Sequence, residues 1–213
     1  MEDMTALRDK DKKSKSRVLL YTAAASVTVC LISWIVMLYA ERSRVEKGWE
    51  NEFLMRYSAV LNDVTHHLGC FEEADSYEGQ ISYLELVVND LMQLKAFMEM
   101  HSKLAAVTEP DSRVSGADQE GWKEAERVAW FIGSGGIMGS DQIEPFRADG
   151  VISEGEAAVV RFMKEETEKL YHDMTVSDKD GMNYRYDTLS AIEVYQRLTE
   201  LMSDVRRMLT QGN

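Results

Sequence analysis

Leu84-to-Ala105, LELVVNDLMQLKAFMEMHSKLA, decides the fold class. Leu84, Val87, Leu91, Leu94, Met98, His101 and Ala105 recur at steps of three and four, which is the seam of a coiled-coil-like helix. Upstream, Trp49, Phe53, Tyr57, Val60, Val64, His67 and Phe71 form a second stripe of the same period. Gly69 and the Glu72-Glu-Ala-Asp-Ser segment end that stripe. A connection this short predicts two antiparallel helices in a hairpin.

Beyond the seam, Thr108 to Ala117 is polar and Pro110 stops the helix. Asp118 to about Ile132 predicts a shorter amphipathic helix with Trp122, Ala125, Ala129 and Ile132 on one face. The glycines from Gly133 to Gly139 end it, and the chain reads as irregular up to Gly150. Ser153 with Glu156 predicts a capping box opening a helix that runs to about Met174. Ser177 to Gly181 reads as a turn. Asp187 is the expected cap of a last helix, with Ala191, Val194, Leu198, Leu201, Val205 and Met208 on its apolar face. No strand-like alternation of useful length interrupts this pattern. The expected fold is all-α: an antiparallel bundle of two long helical hairpins and one short helix.

Upstream of the bundle, Val18 to Ala40 is a run of 23 residues without a charge. As a helix it reaches about 35 Å, enough to cross a hydrocarbon core of about 30 Å. Tyr21, Trp34 and Tyr39 lie toward its ends, where interfacial aromatics belong. It is too long for the apolar core of a cleaved leader, and Leu38-Tyr39-Ala40 is a poor cleavage site. The reading is an uncleaved signal anchor, followed by helix-forming residues that only Gly48 weakens.

Six Lys and Arg lie in residues 1–17 against four in 41–58, which orients the N-terminus to the cytosol and the C-terminal domain outside. The whole chain is 45% hydrophobic and 29% charged with net charge −13. That average combines a tail (1–17) of +2, an uncharged span (18–40) and a domain (41–213) with 18 basic and 33 acidic residues, net −15. So acidic a domain is repelled by anionic headgroups and excludes a nucleic-acid binder. Two cysteines, one in the span and one in the domain, exclude a disulfide scaffold.

Motif searches return little chemistry. His66 or His67 with Cys70 has helical ligand spacing, and His101 is a conceivable third ligand. Folding the hairpin about Asp75 places His101 opposite Lys47 or Trp49, about 30 Å along the helix from His67, so no metal site is expected. Met98 and Met100 point about 200° apart on a helix and cannot share an ion. Asp149 to Glu156 resembles the second half of an EF-hand calcium loop over eight residues. Pro145 and Arg147, however, stand where the first carboxylates belong, and a glycine turn before a capped helix explains the segment. The Gly133 to Gly139 run follows a helix and lacks both the P-loop ending and the dinucleotide-binding spacing. Glu72-Glu73 and Glu165-Glu166 read as solvated charges, and no nucleophile has a diagnostic context.

The expected function is therefore non-enzymatic: a single-pass, membrane-anchored scaffold or interaction component outside the cytosol, without a cofactor. Its expected partners are the lipid bilayer and a membrane or envelope protein. Thr22, Ser26 and Cys30, at steps of four along the span, are the candidate face for helix association and hence for a homodimer. The alternative is a ligand-sensing ectodomain. A 17-residue tail has no room for an output domain, so such a sensor would signal through a membrane partner.

Overall fold

The computed structural model describes residues 3–108, 120–138, 141–143, 146, 150–177, 184–185 and 188–211. Side chains are described within these from residue 28 onward, except at 107–108, 136–138, 141–143, 176–177, 184–185 and 211. Its helices are α1 (Asp3–Glu73), α2 (Tyr77–Thr108), α3 (Trp122–Ser134), α4 (Glu154–Met174) and α5 (Ala191–Gln211). Two minimal antiparallel ribbons join them: β1 (Gly136–Met138) with β2 (Asp141–Ile143), and β3 (Val176–Ser177) with β4 (Tyr184–Arg185). The all-helical expectation holds for the core. The stretch after Gly133, expected to be irregular, forms the first ribbon instead, because three residues per strand are too few to show as alternation.

The chain divides into two compact units, 1–49 and 50–213. In the first, every described side chain from Thr28 to Ala40 is exposed, including Val29, Ile32, Trp34, Ile35, Met37 and Tyr39. Among the described residues no helix is long and apolar enough to cross a membrane. Of the expected span, only residues 28–40 have described side chains. Thr22 and Ser26 of the candidate association face are helical, but their side chains lie outside the described set; Cys30 is exposed.

The second unit is built on the two predicted stripes. Every residue of the α2 seam, from Leu84 to Ala105, is buried, as are Phe53, Tyr57, Val60, Val64 and Phe71 of α1. Trp49, expected on the same stripe, is exposed. α3 lies against α2 and α5, burying Ala125, Ala129 and Ile132, and α5 packs on both α3 and α4 with Val194, Leu198 and Val205 buried. Polar contacts confirm the antiparallel hairpin: His101 meets Tyr57, and His67 meets Asp90.

The register differs from simple folding about Asp75. His101 lies against Phe53 and Tyr57, not opposite Lys47 or Trp49, a shift of about 12 Å along α1. The cause is the link at 74–76. α1 stops at Glu73 and α2 starts at Tyr77, while the Tyr57–His101 and His67–Asp90 pairs set Glu73 level with about Leu84, so the first two turns of α2 overhang the end of α1. The overhang is covered at Phe146, whose carbonyl accepts a hydrogen bond from Tyr77 Oη at 3.4 Å.

Capping boxes explain the starts of α4 and α5. Ser153 and Glu156 make the expected reciprocal box, with Glu156 N donating to Ser153 Oγ (3.2 Å) and Ser153 N to Glu156 Oε2 (2.7 Å). Asp187 was the expected cap of α5. It lies outside the described residues, and Ser190 with Glu193 forms the same kind of box immediately before Ala191. A Ser three residues before a Glu satisfies two orphan N–H groups, which a lone Asp further upstream cannot do. Asp118 is likewise outside the described residues, and α3 begins at Trp122 after Gly121.

Gly121 is required sterically. A Cβ there would sit 2.2 Å from Thr199 Oγ1 and 2.9 Å from its Cγ2, so α3 enters directly against α5. Gly121→Ala is expected to cost about 1–3 kcal/mol in urea unfolding, as overpacking does. Adding Thr199→Ala should recover most of that loss; no recovery would show that the close approach is not the reason for the glycine.

Candidate functional site

Three places in the second unit gather groups capable of chemistry or binding. The first is buried where α1, α2 and α5 meet. His101 is 6% exposed, stacked on Phe53 with ring centroids 4.4 Å apart, and met edge-on by Tyr195 at 5.7 Å. Tyr57 Oη lies 2.9 Å from His101 Nδ1. Burial pushes the imidazole down to about 4, so the ring is neutral at ordinary pH. Burial, with the nearby Tyr195, raises Tyr57 well above the usual phenol range, so two neutral groups share this hydrogen bond. This is a core histidine packed among aromatic rings.

A second group lies at the edge of the α1–α2 seam. His67 Nδ1 is 2.6 Å from Asp90 Oδ2. Burial raises Asp90 above the usual carboxylate range despite the opposing bond from His67, and Asp63 adds to the rise. One turn further on, Cys70 Sγ lies 3.8 Å from His66 Nε2 on the outer side of α1. A thiol beside an imidazole is half of a nucleophilic dyad. Both, however, lie within the last two turns of α1, where the backbone N–H groups are already spent on the helix and none is left to stabilise an oxyanion.

The metal expectations can now be placed. His67 and His101 are ten residues apart along the α1 register, about 15 Å, rather than the 30 Å expected, and each is engaged by a different partner. Among the described residues no three His, Cys, Asp or Glu side chains are grouped to hold a metal. Met98 is buried and Met100 exposed, on opposite sides of α2. In the segment resembling a calcium loop, Gly150 has φ of 77° and makes the turn, and Glu156 is committed to its capping box. Asp149, Pro145 and Arg147 lie outside the described residues.

The third place is a groove of about 310 Å³ between the start of α2 and the end of α3. Ile81, Leu84, Val88, Ile132 and Phe146 line it with apolar surface, and Glu85, Asn89 and Ser134 supply its polar groups. On the same helix, Trp130 is 54% exposed. The register shift creates this groove: the first turns of α2 extend past α1 and are covered only in part, by Phe146. Neither the overhang nor Phe146 has a signal in the sequence. A smaller hollow of about 240 Å³ lies between α4 and α5, lined by Phe162, Leu170 and Leu201 and by the Asp173–Arg197 ion pair at 2.6 Å.

Compared with protein-family models, curated proteins and solved structures, the chain matches none.

Proposed function

We propose that this chain is a single-pass membrane-anchored protein whose helical domain works outside the cytosol as an interaction or scaffold component. The α2–α3 groove is its working surface. The anchor rests on the uncharged run from Val18 to Ala40 and on its described half, a helix whose apolar side chains are exposed on every side. A helix apolar all round is stable against lipid and not against water. The six-to-four excess of Lys and Arg on the N-terminal flank supports the orientation.

One observation carries the interaction reading: the groove gathers the apolar side chains of Ile81, Leu84, Val88, Ile132 and Phe146, and its polar groups, Glu85, Asn89 and Ser134, include no nucleophile set beside a base. Its volume also lies at the lower end of the range for small-molecule sites of about 300–1,000 Å³, which is what favours the second reading, a sensor of a small ligand.

Ser134→Trp fills the mouth of the groove from an exposed position. Under the scaffold reading, one membrane protein co-purifies with the wild-type chain from detergent in fixed ratio and is lost with Ser134→Trp, while the melting temperature is unchanged. A small molecule that raises the melting temperature of the wild type alone would support the sensor instead. Turnover of an envelope substrate would contradict both.

A further inference from the structure

The core layer that holds His101 differs from the rest. Tyr57, Ser58, His101, Ser102 and Tyr195 bring polar side chains to one level of the bundle, and all are buried. Further along the hairpin the seam is aliphatic, with Leu61, Val64 and Leu68 buried on α1 and Val87, Leu91 and Leu94 buried on α2. The polar layer is also where α2 is held least. Beyond Met98, the buried residues of α2 among those described are His101, Ser102 and Ala105, and Leu104 is partly buried. α2 ends at Thr108 with no basic side chain in its last turn to offset the unpaired carbonyls. A helix end with so few buried apolar contacts can open while the rest of a bundle stays folded.

We propose that the last two turns of α2, from His101 onward, are an acid-released latch. Protonation of the imidazole frees them from α1 and α5 and uncovers the rings of Phe53, Tyr57 and Tyr195, while the aliphatic seam stays packed.

The packing supplies the trigger. The ring is met by Phe53 and Tyr57 from α1 and by Tyr195 from α5, and none of these is a carboxylate. Charged side chains on the same stretches are committed elsewhere: Arg56 to Glu52 on α1, Lys103 to Glu99 on α2, and Glu193 to Ser190 and Arg197 to Asp173 around α5. Glu50 is exposed. An imidazolium closed into this layer has lost its hydration and gained no counter-ion, the costly case for a buried charge. Burial holds the closed ring near 4, and in the opened end it returns to about 6.5. The open form therefore takes up the proton, and its population rises as the pH falls from 6.5 toward 4. Between pH 7 and pH 5 the rise is about 20-fold. None of this depends on the groove or on the side of the membrane the unit occupies.

Thiol protection in the full chain in detergent reads the opening directly. With Cys30→Ser and Cys70→Ser removing the native thiols, Ala105→Cys puts a buried thiol one turn beyond His101, and Val64→Cys puts one in the aliphatic seam. Each reacts with a dipyridyl disulfide, and the same chain unfolded in urea at each pH serves as reference, which cancels the titration of the thiol itself. Protection of Ala105→Cys is expected to fall about 20-fold from pH 7 to pH 5, and to stay level once His101→Phe and Tyr57→Phe are added. At pH 5 it should be at least about ten-fold below that of Val64→Cys and indifferent to low urea, because a local opening exposes little surface. An equal fall with pH in the chain lacking His101, which retains the His67–Asp90 pair, would overturn the proposal. So would no fall in the chain that keeps it. Equal protection of the two thiols with the same urea dependence would also overturn it, since the end would then open only by global unfolding.

Discussion

Lowering the pH from 7 to 4 is expected to remove about 3 kcal/mol of stability through His101 alone. The folded protein holds this imidazole neutral until about pH 4, whereas in the unfolded chain it protonates near its ordinary 6.5. Between those values the unfolded state binds the extra proton, so stability is intact above pH 6.5 and lost as pH falls toward 4. The geometry supplies the cause. Protonation places a charge among Phe53, Tyr57 and Tyr195, with no carboxylate contributing to the shift.

His101→Phe keeps the stacking on Phe53 and removes the titration. Its unfolding free energy in urea should fall by about 3 kcal/mol less than that of the wild type over the same pH range. At pH 7 the variant should itself lose about 1–3 kcal/mol, because Tyr57 Oη is left buried without an acceptor, and adding Tyr57→Phe should restore most of it. Parallel pH curves for wild type and His101→Phe would refute the buried neutral histidine.

The second large effect concerns the two faces of α2. Leu91 is fully buried in the inner seam, so Leu91→Ala should cost about 3 kcal/mol or more in urea unfolding, transfer and cavity terms together. Leu86, five residues earlier, lies on the outer face, and Leu86→Ala should change monomer stability by no more than about 0.5 kcal/mol. The same truncation is thus expected to differ by several kcal/mol between positions one turn and a half apart. Similar costs at both would mean that the inner seam is misassigned or that the outer face is already covered within the monomer.

The inner seam was legible because hydrophobic burial imposes a period on sequence, and all seven positions from Leu84 to Ala105 obey it. The Ser153–Glu156 box was legible for a similar reason: a local hydrogen-bond requirement demands particular residues at a fixed spacing. Features set by distant contacts were not legible. Tyr195 reaches His101 from ninety-four residues away, and Gly121 answers to Thr199. The hairpin register was missed because a three-residue link does not reveal how far α2 overhangs α1. That overhang moved His101 from Trp49 to Tyr57 and opens the groove.

Whether the acidic helical unit is anchored to a membrane and faces away from the cytosol is decided most directly by protease protection in sealed, right-side-out vesicles. The chain should sediment with the membrane after carbonate washing. Added protease should destroy an epitope at the C-terminus while sparing one at the N-terminus until detergent is added. A C-terminal epitope protected until detergent is added, or a chain released by the wash, would contradict the account.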